Sequence, residues 1–126
     1  PMDVASARGR IVSRSTALMP VVYIAGPLSG PNAWENVRAA ALAAQVLVSM
    51  GCAPIVPHLS AFVDMIAPLP RETWMSVDFA ILARCDAVLW LGSSPGADAE
   101  CDEAMRLGLP ILPSLAAAED WLRSRS

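Results

Sequence analysis

Glu100 is the first candidate for chemistry, because its carboxylate is predicted on the apolar side of a helix. The helix follows an apolar strand and a turn rich in Ser, Pro and Gly, and it ends before Gly108, which suits the left-handed position after a helix. Its other acidic residues share the opposite, wet side with Arg106. We expect Glu100 to point inward from the first turn, where the helix dipole favours an anion. The alternative is a glutamate that only stabilises its own helix.

Asp78 is a second carboxylate on an apolar stripe. Along its predicted helix, residues 72–84, Trp74 stands at i−4 and Leu82 at i+4. An uncompensated buried charge is costly, so such a group is paired, hydrogen-bonded or faces a polar cavity. Two inward carboxylates on helices that flank one strand indicate a site. We expect Asp78 to have the higher pKa, so that Glu100 is the anion and Asp78 the acid.

Tyr23 and His58 are further polar candidates, one in a predicted strand and one just after another strand. In a parallel sheet, ligands bind beyond the carboxyl ends of the strands at the switch in strand order, so both are expected at the site. The alternative is a core residue for Tyr23 and a hydrogen-bonded loop residue for His58, the only histidine. Among the tryptophans, Trp34 and Trp74 are those expected in the pocket wall.

Two turns rich in Ser and Gly precede predicted helices and offer anion sites. Ser29-Gly30 precedes a long helix, and Ser94-Pro95-Gly96-Ala97 precedes the helix of Glu100. A hydroxyl and backbone amides at a helix N-terminus bind phosphate groups. Ser and Gly also cap helices for purely structural reasons, which is the alternative.

The order of apolar runs and periodic segments predicts an α/β fold with a parallel sheet covered on both faces. A proline-bounded loop, with or without a helical turn, is expected over residues 57–70. The predicted strands are residues 21–25, 53–56, 87–91 and 109–112, and the predicted helices are residues 32–50, 72–84, 97–107 and 115–123.

The 126 residues fit one domain, which we place at residues 20–126 after a flexible N-terminal arm, residues 1–19. With 55% hydrophobic and 17% charged residues, the composition is typical of a globular protein. The net charge is -3 and no basic cluster exists, so neither nucleic acid nor an anionic membrane is expected as a partner. The apolar window 39–56 is broken by Gly51 and Pro54, which argues against a membrane span.

All nine basic residues are arginines, which excludes a Walker-type phosphate lysine and a Schiff-base lysine. The three cysteines lack CxxC spacing and lie among apolar residues, so we expect reduced core thiols in a cytoplasmic protein. One histidine and scattered acids give no metal-ligand spacing, and no metal or other cofactor is expected.

Four segments of the chain carry a recognisable combination of motifs: Tyr23-Ile24-Ala25-Gly26-Pro27 with Ser29-Gly30, Trp74-Met75-Ser76-Val77-Asp78, Cys85-Asp86-Ala87, and Ser94 to Glu100. Together they resemble the nucleoside 2-deoxyribosyltransferase-like superfamily. That group contains deoxyribosyltransferases, nucleoside 5′-monophosphate N-glycosidases and many uncharacterised bacterial and phage members, to which this chain is most similar. The resemblance covers nearly all of the chain after the predicted arm.

The resemblance implies a flavodoxin-like, Rossmann-like three-layer fold with a four- to five-stranded parallel sheet and helices on both faces. It also implies that Glu100 is the catalytic nucleophile, that Asp78 contacts the nucleobase and that Tyr23 orients the nucleophile. Ser94 matches a serine that binds phosphate in the monophosphate hydrolases. The expected substrate-binding residues are Gly26, Ser29, Gly30, His58, Trp74, Ser94, Gly96 and Ala97.

We therefore expect an enzyme that cleaves the N-glycosidic bond of a nucleoside 5′-monophosphate or a (deoxy)nucleoside, releasing the base to water or exchanging it. The alternative is a nucleotide-sensing module without turnover, which needs the pocket and not the nucleophile. The long helix 32–50 is mostly Ala, Leu and Val. We expect that helix in the contact of a homodimer or larger homo-oligomer, with the site near the interface.

Overall fold

Four parallel strands form the central sheet of the computed structural model, which describes residues 14–28 and 30–125. Their order across the sheet is β2-β1-β3-β4, and every neighbouring pair is parallel. This is the strand order of flavodoxin-like sheets, so the predicted α/β fold is confirmed, with four strands in the described residues. The strands are β1 (Val21–Ala25), β2 (Ala53–Ile55), β3 (Ala87–Trp90) and β4 (Ile111–Leu112).

Five α-helices pack around this sheet in the described part of the chain. Every connection between successive strands contains at least one helix, as parallel neighbours require. The helices are α1 (Ala33–Ser49), α2 (Ser60–Ile66), α3 (Arg71–Leu82), α4 (Pro95–Leu107) and α5 (Leu115–Arg125).

The side chains of β1 alternate between the two faces of the sheet, because a strand has a period of two residues. Val22 and Ile24 are buried in an apolar cluster with residues of α1 and α5. Tyr23 and Ala25 are buried in a second cluster with residues of α3 and α4. The two helices that carry Asp78 and Glu100 therefore cover the sheet face toward which Tyr23 points.

The ends of α4 follow local sequence signals. The Ser94 hydroxyl accepts a hydrogen bond from the amide of Ala97 at 3.0 Å, which caps the first turn. Gly108 has φ 76°, the left-handed conformation that was predicted for the position after this helix. These signals fix where α4 begins, and hence which of its residues reach the carboxyl end of the sheet.

The predicted loop 57–70 contains more helix than expected. A 3-10 turn at Pro57–Leu59 leads directly into α2, and only residues 67–70 connect α2 to α3. We refer to residues 57–70 as the cap segment.

Of the arm predicted over residues 1–19, residues 1–13 lie outside the described residues. Thr16–Leu18 form a 3-10 turn, and Arg14 Nε donates to the carbonyl of Met50 at 3.4 Å, so this part of the chain contacts the end of α1. No helix within residues 14–28 and 30–125 is long and apolar enough to cross a membrane.

Candidate functional site

A cavity of about 560 Å³ opens at the carboxyl ends of the strands. Its walls come from the segments that follow β1, β2 and β3, together with one face each of α2, α3 and α4. The chain order reverses between β1 and β3 in this sheet, and that switch point is where ligands bind in open α/β folds. The position of the cavity therefore agrees with the site predicted from the strand ends.

Glu100 lies at the bottom of the cavity and is only 6% exposed. Tyr23, fully buried on β1, donates its hydroxyl hydrogen to Glu100 Oε2. Burial, then the charge and hydrogen bond of Glu100, raise the pKa of Tyr23 far above its ordinary value, so the phenol stays protonated and remains a donor. Tyr23 lies behind Glu100 and does not line the cavity. We call these two residues the floor.

The predicted first-turn position of Glu100 is wrong. Ser94 is the N-cap and Pro95 the first helical residue, so Glu100 lies in the second turn and Asp98 is the acidic residue of the first. The field of the helix dipole falls off within the first turn, and it gives Glu100 little help. Desolvation dominates instead: burial raises the pKa of Glu100 to about 7, although the Tyr23 hydrogen bond acts in the lowering direction.

Asp78 faces the same cavity from α3 and is half-buried. Burial raises its pKa to about 6, and its negative charge contributes to the raised pKa of Glu100. The predicted order of these two pKa values is therefore wrong. Glu100 has the higher pKa because it is the more deeply buried carboxylate, and one hydrogen bond does not offset that burial.

One face of α3 lines the cavity with Arg71, Trp74, Met75 and Asp78. These positions follow the i, i+3, i+4, i+7 spacing of a single helix face. Arg71 makes no hydrogen bond or ion pair with the described residues, and sequence reasoning missed it. The signal was present, because the stripe that joins Trp74 to Asp78 reaches Arg71 one turn earlier.

The N-terminus of α4 offers fewer free amides than predicted. Pro95 has no N–H, and the Ala97 amide is already bound by Ser94 Oγ. The Gly96 amide and the Ser94 hydroxyl hydrogen remain for a ligand. A Cβ at Gly96 would lie 3.9 Å from Nη2 of Arg71, so the guanidinium lies beside this turn. Ser94, Gly96, Ala97 and Arg71 all line the cavity.

Gly26 and His58 line the cavity at the ends of β1 and β2. A Cβ at Gly26 would lie 2.9 Å from Leu91 Cβ, so only glycine lets the chain after β1 approach the chain after β3 this closely. His58 is buried, with Nε2 3.1 Å from the carbonyl oxygen of Pro27. Because a carbonyl only accepts, Nε2 carries the hydrogen, and Nδ1 has no partner in the described residues. Burial lowers the pKa of His58, so its ring is neutral at pH 7.

The cap segment closes one side of the cavity and is tied to α3 by Asp64. Its Oδ1 accepts from Trp74 Nε1 at 2.7 Å and from the Leu69 amide at 2.9 Å. The segment also exposes apolar side chains to solvent, and two of them, Met65 and Leu69, line the cavity as well. Its exposed large side chains are Leu59, Phe62, Val63, Met65, Ile66 and Leu69.

Not every predicted residue reaches the cavity. Ser29 lies outside the described residues, and Gly30 is exposed and is not part of the cavity wall. Trp34 is 74% exposed and is also absent from the wall. Asp86, part of the third segment of the resemblance, instead accepts from the Val21 amide at 2.7 Å, which supports the start of β1. In residues 14–28 and 30–125, no group of three His, Cys, Asp or Glu side chains is placed to hold a metal ion.

Comparison with known proteins gives a family for the chain. No curated protein and no solved structure matches it. A family model, described as a domain of unknown function and designated DUF7768, matches residues 20–113. The matched region includes all four strands and every described residue of the cavity wall. The chain therefore belongs to the DUF7768 family.

Proposed function

We propose that this protein is an enzyme that cleaves the N-glycosidic bond of a nucleoside 5′-monophosphate or a (deoxy)nucleoside. The observation that carries the proposal is the pair of carboxylates at one cavity, with Glu100 held by the buried Tyr23 hydroxyl and Asp78 facing it from the neighbouring helix. A buried carboxylate at the bottom of a cavity of 560 Å³ has little structural benefit and a large desolvation cost.

The two carboxylates have complementary roles in this reaction. Asp78 donates its proton to the leaving base as the bond from the base nitrogen to C1′ breaks. Glu100 faces the positive charge that develops at C1′, and attacks that carbon or stabilises the charge. Water or a nitrogen of a second base then takes the sugar, and the proton lost by that water or by the acceptor's N–H returns to Asp78. Tyr23 holds Glu100 in place through its hydrogen bond.

The pKa order constrains the pH at which this chemistry runs. The reactive form has Glu100 ionised and Asp78 protonated, yet Glu100 has a pKa of about 7 and Asp78 of about 6. The two carboxylates titrate as a coupled pair, and the form with the proton on Asp78 is the minor one among singly ionised molecules. Activity is therefore expected to peak near pH 6.5, roughly midway between the two values.

A 5′-phosphate is the proposed anchor of the ligand. Arg71 has no ion-pair partner in the described residues and lies beside the turn that presents the Ser94 hydroxyl and the Gly96 amide. A guanidinium together with a helix N-terminus provides charge and directed donors for a phosphate group. This arrangement favours nucleoside 5′-monophosphates over unphosphorylated nucleosides.

The sequence resemblance supports the same proposal at a finer level than the DUF7768 family does. The residues of this chain that resemble the nucleoside 2-deoxyribosyltransferase-like superfamily include Tyr23, Asp78, Ser94 and Glu100, all of which lie at or directly behind the cavity. We propose that the chain shares the glycosidic chemistry of that superfamily.

The direct test is incubation of the protein with nucleosides and nucleoside 5′-monophosphates, ribo and 2′-deoxy, with and without an acceptor base. Release of free base, measured by chromatography, supports the proposal, and a new nucleoside formed only with the acceptor identifies base exchange. Binding without any product across the panel would overturn the enzyme and favour a nucleotide-sensing module.

A further inference from the structure

Trp74 has an orientation that its own helix does not fix. Its indole lies in the cavity wall, and its Nε1–H is held by Asp64 Oδ1 at 2.7 Å, from a residue ten positions earlier in the cap segment. An exposed tryptophan side chain ordinarily leaves this N–H to water. Here the hydrogen bond sets the rotation of the ring about its side-chain bonds, and so fixes the plane that the indole presents to the cavity.

The position of Trp74 relative to Asp78 indicates what the oriented indole can do. The two residues are four apart on α3, so their side chains lie one above the other on one helix face. A flat ring that stacks on the indole would therefore lie on the same helix face as the Asp78 carboxyl. Stacking on an aromatic side chain suits every nucleobase, since each has a π-face.

We propose that Asp64 is a positioning residue that orients the Trp74 indole as a stacking platform for the nucleobase and so aligns the base with Asp78. This inference rests on the proposed function. Asp64 does not touch the substrate in this account, but acts through Trp74.

The Asp64 carboxylate is suited to this role at the pH of the proposed reaction. The Leu69 amide and the Trp74 indole both donate to it, and they hold the pKa of Asp64 below its ordinary range. It therefore stays ionised between pH 6 and 7, where the catalytic carboxylates titrate. The titratable group that faces the indole from its own helix is Asp78, and Arg71 lies one turn earlier on the same face.

The Leu69 hydrogen bond offers a competing explanation, because Asp64 also stabilises the turn that joins α2 to α3. A purely structural role would weaken every ligand alike. A role through Trp74 affects only ligands that carry a base. Ribose 5-phosphate contains the sugar and the phosphate but no base, so it separates the two explanations.

The test measures dissociation constants for a nucleoside 5′-monophosphate and for ribose 5-phosphate in a Glu100→Gln parent, which removes turnover. Asp64→Ala is expected to weaken nucleotide binding about three- to tenfold, and Trp74→Ala about tenfold or more. Asp64→Asn retains an acceptor oxygen and is expected to restore binding to within about twofold. Ribose 5-phosphate affinity is expected to be unchanged in all three variants.

A double substitution tests whether Asp64 acts through the indole. Trp74→Phe keeps an aromatic ring but has no N–H, so adding Asp64→Ala to it is expected to weaken nucleotide binding no further. With Glu100 intact, Asp64→Ala is expected to raise KM for the nucleotide about three- to tenfold, in line with the loss of affinity.

Equal weakening of ribose 5-phosphate and nucleotide by Asp64→Ala overturns the inference, as does a full Asp64→Ala effect in the Trp74→Phe background. Both results leave the proposed function standing. If neither the parent nor the wild-type protein binds any nucleoside 5′-monophosphate, the proposed function and this inference fall together.

Discussion

Glu100 at the floor of the cavity is 6% exposed, whereas Ile66 on the cap segment is 88% exposed. The floor is a polar pair inside an apolar cluster, and the cap is an apolar surface turned toward solvent. Each region thus places side chains where their free energy of solvation is unfavourable. Stability alone explains neither arrangement, which is what is expected of residues that act on a ligand or a partner.

The two regions are expected to differ in the kind of loss that a substitution causes. The floor lies on β1 and α4, which are held by the sheet and by the packing of two helices, so a change there alters chemistry at a fixed position. The cap segment is joined to α3 by the Asp64–Trp74 hydrogen bond and to the chain after β1 by the His58–Pro27 hydrogen bond. Changes near the cap should therefore lower affinity, and changes at the carboxylates should lower rate.

Among substitutions at residues other than Tyr23 and Glu100, Asp78→Asn is expected to cause the largest loss of rate. The amide still hydrogen-bonds the base but has no proton to donate, so kcat is expected to fall about 10²- to 10⁴-fold with a much smaller change in KM. The alkaline limb of the pH–rate profile should disappear, since Asp78 no longer titrates. A steady-state profile from pH 5 to 9 tests this. An unchanged alkaline limb would mean that another group supplies the proton.

Glu100→Gln is expected to stabilise the fold, and to do so only as the pH rises. Below pH 4.5 the Glu100 carboxyl is protonated in both the folded and the unfolded chain, so its burial has no charge cost. Between pH 4.5 and about 7 the unfolded chain ionises first, and above about 7 the folded chain carries a buried anion. The variant should therefore gain up to about 3 kcal/mol of unfolding free energy at pH 8 relative to pH 4.5.

Glu103→Gln on the same helix is the matched control for that experiment. Glu103 is paired with Arg106, and this hydrogen bond lowers its pKa. A lowered pKa contributes stability that is present at neutral pH and lost in acid, so this variant should show the opposite sign. Urea unfolding at both pH values measures the difference. Equal gains for Glu100→Gln at pH 4.5 and pH 8 would contradict a buried charge at the floor.

Substitutions at the proposed phosphate site are expected to have the next largest effect, and the quantity they lower is affinity. Ser94→Ala and Arg71→Gln are each expected to weaken nucleoside 5′-monophosphate binding roughly ten- to a hundredfold, because each removes a donor to a charged group. The affinity of the matching unphosphorylated nucleoside should not change. Titration calorimetry with both ligands tests this, and a nucleoside that binds more tightly than its monophosphate would show that the phosphate assignment is wrong.

The oligomeric state remains a prediction, and its loss is expected to have the smallest effect on each subunit. The outward face of α1 bears Trp34 and Val48 beside polar residues, so it is less uniformly apolar than its sequence suggested. We expect a dimer by light scattering at micromolar concentration and a shift to monomer with Val48→Arg. Ile66→Arg on the cap is the comparison. If that variant alone disrupts the dimer, the interface lies on the cap, and a monomeric wild type contradicts the prediction altogether.

Local patterns were enough to predict the floor. Residues 21–25 form one short apolar run, and Glu100 falls on the apolar stripe of its helix, so both were expected to face the same site. The error in the turn that carries Glu100 came from the helix start. In the structure Pro95 is the first helical residue, so the helix begins two positions before the start we expected.

The cap segment could not be predicted in the same way. Asp64 accepts hydrogen bonds from Leu69 and Trp74 across the connection to α3, and their formation depends on how α2 and α3 pack rather than on a helix or strand periodicity. The pKa order was missed for a related reason. Relative burial of Glu100 and Asp78 depends on how deeply each helix is seated against the sheet, which helical periodicity does not specify.

Base release by Glu100→Gln tests the central claim most directly. Wild type, Glu100→Gln and the control Glu103→Gln are compared at pH 6.5 with saturating amounts of the best nucleotide of the panel. We predict a loss of at least about a thousandfold for Glu100→Gln with nucleotide binding retained, and wild-type turnover for Glu103→Gln. Turnover by Glu100→Gln within tenfold of wild type would contradict the account and leave Glu100 as a buried structural carboxylate.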